Sequence, residues 1–398
     1  MRDLPPGPRE PSALQTVEWI VRPTALLRRA QARYGEPFTL RTAYSDAPLV
    51  LVSDPHEIKR IYSAPPDVLQ GGDASAFLEP FTGKRSVLIL HGEEHLRQRK
   101  LMLPPFHGEA LRRWKDTVAE ITHAELDTWR SGELIQALPR MQKITLEVIQ
   151  RVIFGSRDPE LRDALRTALD MTGSMANLVA MSLLGPHRRF LNAVARIDAL
   201  VYKRIDRAGG GDSILDMLKA SGATREELRD QLVTLLAAGH ETTATALAWA
   251  LERLARHPAT ELGDDAHLDA AIREVLRTRP VLSITARKTL QPYRVGAYTL
   301  PPGVYVAACL YLAHRRAGTA FDPGRDTADD EPYTYIPFGG GTRRCLGAAF
   351  ALLEMREVIR AVTQRFTLAP DRPQGERMRR RSVVLAPSRQ GSIIPTAR

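Results

Sequence analysis

The stretch from Arg225 to Pro258, REELRDQLVTLLAAGHETTATALAWALERLARHP, holds helical character along its whole length and stops at a proline. A helix this apolar on every side cannot lie on a surface, so its middle should cross a core that other elements build around it. That requirement asks for a large interior, and the chain has the means: 398 residues with 43% hydrophobic content suffice for one big domain. From about Glu109, Leu111, Trp114, Val118, Ile121, Leu126 and Trp129 recur at helical spacing, and Gly209-Gly210-Gly211 separates two further helical stretches. Strand signals are confined to short runs. PFTLRT (37–42) and PLVLVS (48–53) read as a strand pair around a polar turn, followed by a helix opening at Asp54-Pro55. YRVGAYTLPPGVYVAACLYL (293–312) reads as two alternating runs around a Pro-Pro-Gly turn. No tandem repeat, low-complexity block or linker divides the chain. The expectation is therefore a mainly α protein with small β-sheets, a single large domain over residues 1–398. It would comprise a proline-rich lead (1–12), a helix-rich core (54–290) and a glycine-rich loop (338–347) followed by a C-terminal helix.

Composition removes several function classes. Two cysteines in so long a chain form no disulfide framework, which suits a reducing cytoplasm and leaves the thiols free for chemistry. The opening MRDLPPGPREP is polar and lacks an apolar run long enough for a signal peptide or a membrane span, so a soluble, cytoplasmic monomer with no membrane insertion is expected. The formal charge of +10 comes mostly from arginines scattered along the chain and favours an acidic partner. Nucleic acid is not expected, because no zinc-finger spacing, aromatic RNA-binding signature or helix-turn-helix is present.

The chemistry concentrates at FGGGTRRCLG, Phe338 to Gly347. The following AAFALLEMREVIRAVTQRF has helical period, so Cys345 sits where a glycine-rich loop enters a helix, a place where the dipole and nearby amides favour thiolate. Neither zinc-ligand spacing nor a partnering histidine accompanies it, which leaves a one-thiolate metal centre, with haem iron as the candidate. Glycines such as Gly339 would let backbone lie flat against a macrocycle. Arg343 could reach a propionate, and Phe338 could shield the sulfur.

This loop resembles the haem-binding loop of the cytochrome P450 family, Phe-x-x-Gly-x-Arg-x-Cys-x-Gly, at every fixed position: Phe338, Gly341, Arg343, Cys345 and Gly347. The resemblance runs from about residue 4 to the final strands, and further motifs occur in the family's order. Glu274 and Arg277 in EVLR resemble the family's ExxR helix, whose ion pair a later arginine completes; Arg325 in FDPGR looks like that arginine. Here the chain departs from the pattern, with Gly324 and Asp326 around Arg325, Arg316 where an acid is common, and a shortened segment before AAIREVLR. AAGHETT, with Ala238, Glu241 and Thr242, is similar to the oxygen-activation motif; Thr242 would hold a proton network at the oxygen site and Glu241 would replenish it from solvent. From the residues alone, a helix kink with a buried threonine pair is the other reading. His95 and Arg99, four apart on one helix face, resemble the family's propionate-binding pair, and Arg287 a further partner. His107, His123 and His314 have no haem role in this reading.

What the resemblance implies is a haem b enzyme that activates O2 with electrons from a ferredoxin and its reductase, since neither a flavin nor a nicotinamide fingerprint is present. The substrate would be a lipophilic organic molecule of secondary-metabolite type, lined by residues 66–90, about 168–195 and 281–286. Alternatives within the same machinery are oxidative cross-linking of aromatic side chains in a peptide and a peroxide-driven variant. A non-catalytic haem protein is the remaining alternative.

Overall fold

The computed structural model describes residues 4–43, 45–173, 177, 180, 185–328 and 330–398. The helix Arg225–Arg256 runs unbroken through the interior, with Leu236, Leu247, Trp249 and Leu251 at 0% exposure. It begins at a capping box in which Thr224 Oγ1 accepts the Glu227 amide at 3.2 Å and Glu227 accepts the Thr224 amide at 2.8 Å. Helix Ala137–Phe154 packs along it, and helices Gly108–Leu126, Arg188–Arg207 and the C-terminal Ala348–Arg365 complete a layer that shares one large hydrophobic cluster. No described helix is long and apolar enough to cross a membrane.

The described strands in chain order are β1 Phe38–Leu40, β2 Leu49–Val52, β3 Leu69–Gln70, β4 Ile135–Gln136, β5 Thr285–Thr289, β6 Tyr293–Val295, β7 Tyr298–Leu300, β8 Tyr305–Ala308, β9 Phe366–Pro370, β10 Met378–Arg381, β11 Val384–Pro387 and β12 Ser392–Ala397. The expected pair β1–β2 forms with Phe38 opposite Leu51, and the following helix Pro55–Ser63 is capped by Asp54, which accepts the Glu57 amide at 3.1 Å. The main sheet has the order β1-β2-β8-β5-β3, with β2 and β8 parallel, and β10–β11 form a separate hairpin.

The Pro-Pro-Gly segment departs from expectation. The hairpin closes earlier, between β6 and β7 at Gly296 with φ 56°, and Pro301–Gly303 carries the chain on to β8 in another sheet. Cys309 is not inside a strand. It follows β8 as the residue before helix Leu310–Arg315, and its complete burial pushes the thiol up to about 12. The chain passes from Arg256 to Asp265 through turns with no helix, as the shortened segment suggested.

Candidate active site

Cys345 hangs in a loop closed by its own backbone. Its amide donates to Phe338 O at 2.9 Å, Gly339 N–H to Ile336 O at 2.9 Å and Arg344 N–H to Gly341 O at 3.1 Å. Phe338 is half-buried against the large core cluster. The glycines answer first to a neighbour. A Cβ on Gly340 would stand 2.4 Å from the Tyr62 ring, and one on Gly341, at φ 65°, would stand 2.1 Å from the Tyr62 carbonyl oxygen. Gly339 also takes a positive φ, whereas Gly347, at φ −86° with open space around it, precedes the C-terminal helix, and its amide favours the charged form of the Cys345 thiol.

The thiol itself has accessible surface. Dense protein nevertheless surrounds it, and burial raises its pKa more than the Gly347 amide, Arg99 and Arg344 lower it. Such a side chain lines a concavity and does not stand on a convex surface. Burial thus opposes the charged sulfur, while Arg99, Arg344 and the Gly347 amide favour it. Among the described residues no group of three or more His, Cys, Asp or Glu could hold a bare metal ion.

Next to the loop, basic side chains converge. His95 is 4% exposed on helix Gly92–Met102, and burial first, then Arg343, Arg99 and Arg287, depress its pKa to about 4. Burial lowers Arg343 to about 10 and also lowers Arg99 and Arg287. Gly71 makes room for this meeting, since a Cβ there would lie 2.4 Å from Arg343 Cδ and 3.2 Å from Arg287 Cδ. Asp73 is the carboxylate that acts on Arg343, and it is shared with Lys288 at 3.2 Å and His91 at 3.4 Å. Positive charge collected out of water with so little compensation fits an anionic ligand with carboxylates of its own. The Arg99 charge acts on Cys345, which joins this cluster to the thiol. Together they are the donor set that haem requires: one sulfur for iron and cations for its propionates.

The segment AAGHETT lies in the middle of this helix, whose assignment is continuous through it. Gly239 admits Ile149 of the neighbouring helix, whose Cδ1 would be 3.0 Å from a Cβ. Ala238 is exposed although most of its helix is buried, so it too lines an interior cleft. Thr242 Oγ1 donates to Ala238 O at 2.7 Å, and Glu241 turns elsewhere, to Gln142 and Arg381. Neither partner was anticipated, because no spacing rule links residues so far apart in sequence.

The ion-pair network forms as expected around Glu274 and Arg277, each 2% exposed. Arg277 Nε donates to Glu274 Oε2 at 2.8 Å, and its other nitrogens reach Gly318 O and Ala320 O, both at 2.6 Å. Arg325 does join, at 3.3 Å from Glu274, despite its altered neighbours. Asp330, which the sequence reading passed over, holds the far side of Arg325 at 2.6 and 2.9 Å. Also missed was Glu354, a carboxyl buried in the C-terminal helix whose pKa burial raises well above the usual range. His314 is structural, accepting the Ile336 amide at 3.0 Å. Of the expected pocket segments, residues 174–176, 178–179 and 181–184 lie outside the described residues.

A helical layer around one long buried helix, with an exposed cysteine near a carboxylate-poor basic cluster, is the arrangement that a haem-thiolate oxidoreductase requires. The sequence profile of the family described as Cytochrome P450 matches residues 5–262 and 266–394, and the chain belongs to that family. Cytochrome P450 135B1 of Mycobacterium tuberculosis is 37% identical across 98% of this chain and 91% of its own length. Cytochrome P450 138 of the same organism is 34% identical across 98% of this chain and 96% of its own. Among solved structures, the cyanobacterial CYP120A1 with retinoic acid bound superposes with a TM-score of 0.87 at 21% identity, covering 100% of both chains. CYP175A1 of Thermus thermophilus gives a TM-score of 0.78 at 28% identity, over 94% of this chain and 95% of its own.

Proposed function

We propose that the Cys345 sulfur would hold the iron of a haem b with which this chain oxidises a lipophilic organic substrate, using electrons delivered by a ferredoxin-type partner. The observation that carries the reading is the exposed Cys345 in its glycine-rich loop, within electrostatic range of Arg99. When bound, the haem supplies oxygen activation at its iron. The chain's residues do the rest. His95, Arg99, Arg287 and Arg343 offer charge-assisted donors to the propionates, and the anions would relieve the depressed pKa values that now mark those side chains. Glu274, Arg277 and Arg325 brace the segment that leads from Gly318 toward the loop. Thr242 places a hydroxyl beside the accessible Ala238, where it can hold or pass a proton, and Glu241 one residue away supplies the titratable group. Leu282, Ile284 and the exposed Val383 at the tip of the β10–β11 hairpin supply apolar surface for a substrate.

The test is spectroscopic. Reduced wild-type protein with carbon monoxide should give the thiolate-type Soret band, Cys345→Ser should lose it, and Cys309→Ala should keep it. A thiolate-type band that survives in Cys345→Ser removes the assignment.

A further inference from the structure

Polar side chains are costly inside a core unless each finds a partner there. The first turns of the long helix carry three in a row of this kind: Asp230 at 8%, Gln231 at 2% and Thr234 at 2% exposure. All three turn to one segment, residues 83–90, which has neither helix nor strand of its own. Gln231 meets it as a neighbouring strand would. Its Oε1 accepts from Val87 N–H at 3.0 Å and its Nε2 donates to Arg85 O at 2.6 Å. Asp230 Oδ2 accepts from Arg85 N–H at 2.9 Å, while its Oδ1 accepts from Arg229 Nη1 at 2.9 Å. The Thr234 and Ser86 hydroxyls stand 2.7 Å apart. Gly83, at φ 85°, lets the chain pass this carboxylate, since a Cβ there would lie 2.0 Å from Asp230 Oδ1.

Beyond the clamp the segment folds back on Ser86. The Ser86 carbonyl accepts from the Ile89 amide at 2.9 Å and the Leu90 amide at 3.0 Å, and its Oγ accepts from the Leu88 amide at 3.2 Å. That turn brings two carbonyls to one side chain. Arg343 Nη1 donates to Leu88 O at 3.4 Å and Nη2 donates to Leu90 O. A carboxylate in this place would hold the guanidinium and cancel its charge as well. Neutral carbonyls direct it and leave the charge for an anion to meet.

We infer that Gln231, assisted by Asp230 and Thr234, is a positioning residue for Arg343: the long helix clamps residues 85–87, the turn that follows presents the Leu88 and Leu90 carbonyls, and the guanidinium is held, still charged, for a haem propionate. The last step rests on the haem reading above; the clamp does not.

The experiment follows haem release from the holoprotein to excess apomyoglobin in wild type, Gln231→Leu, Arg343→Gln and the double variant, with a urea titration of each. Gln231→Leu keeps the side chain's bulk and leaves the Val87 amide and the Arg85 carbonyl without it. Release should quicken about tenfold in Gln231→Leu, the size of one weakened charge-assisted hydrogen bond. The same substitution made in Arg343→Gln should quicken release by about twofold or less, because the side chain that it positions is gone. Thr234→Val, close to isosteric, should show the same dependence on Arg343 and serves if Gln231→Leu does not fold. A role in general stability alone would lower the urea midpoint and quicken release by equal factors in both backgrounds, and that result overturns the inference while the haem reading stands. A wild type that takes up no haem, or whose reduced carbonyl form lacks the thiolate-type band, overturns the haem reading and the Arg343 step with it.

Discussion

Thr242 Oγ1 donates to the carbonyl of Ala238 one turn back, a bond that any helical threonine can make. Its bond therefore does not distinguish a packing residue from a relay, and substitution must. If the hydroxyl serves only the helix, Thr242→Ala should cost about 1–2 kcal/mol and leave the use of electrons unchanged. If it serves proton delivery, Thr242→Ala should fold, keep its haem and consume reductant, yet release more peroxide and less organic product per electron pair. The ratio of product to peroxide at fixed electron supply decides between them, and wild-type coupling in Thr242→Ala would remove the relay. The contrast between the cysteines works at the same scale. Cys309 is wholly buried with its thiol pushed up to about 12, and Cys345 presents surface. Sequence context distinguished them by the glycines and arginine around Cys345, although it placed Cys309 one element too early.

The long helix was legible because apolar residues on all its sides admit only a buried position, and the Asp54-Pro55 start was legible because capping is local chemistry. The stretch 293–312 was not, since alternation marks strands without naming their partners. β8 pairs with β2 and β5, and no local pattern could place Leu49 against Tyr305. The glycines show the same boundary. Gly239 meets Ile149, and Gly340 and Gly341 meet Tyr62, contacts made by distant parts of the chain. Within the site, residues at motif spacing were found, including Arg325, whereas Gln142, Arg381 and Asp330 belong to no motif. The loop's dependence on Tyr62 is testable. In Gly341→Ala the new methyl would meet a backbone carbonyl at 2.1 Å from a residue at φ 65°, so neither partner can rotate away. The variant should lose about 1–3 kcal/mol and retain less haem per chain. Thermal unfolding and Soret absorbance per protein measure both, and a variant equal to wild type in each would mean that helix Pro55–Ser63 yields instead.

Across the whole molecule, the formal charge of +10 is offset locally by many arginine–carboxylate pairs, and several acids sit below their ordinary range because of such partners. Arg204 and backbone amides lower Asp158 despite burial, and Arg97 and Thr224 do the same for Glu227. These groups contribute stability above the ordinary carboxylate range that is lost only as pH falls through their depressed folded values. Two histidines act earlier. Complete burial holds His240 at about 3 and His314 at about 4, against an ordinary value of 6.5. Between those limits the unfolded chain binds a proton at each histidine and the folded chain does not, so stability falls as pH falls, beginning near the ordinary histidine value. Each contributes a slope of about 1.4 kcal/mol per pH unit once its unfolded form is charged. The unfolding free energy from urea titrations should therefore decline between about pH 6 and pH 5, above the range in which the paired carboxylates begin to matter. His314→Gln, which keeps an acceptor for the Ile336 amide, and His240→Asn, which keeps a polar group beside Thr145, should each flatten that decline by about one proton. Equal slopes in wild type and both variants would place the acid sensitivity elsewhere, as at His95, whose ring burial also holds at about 4.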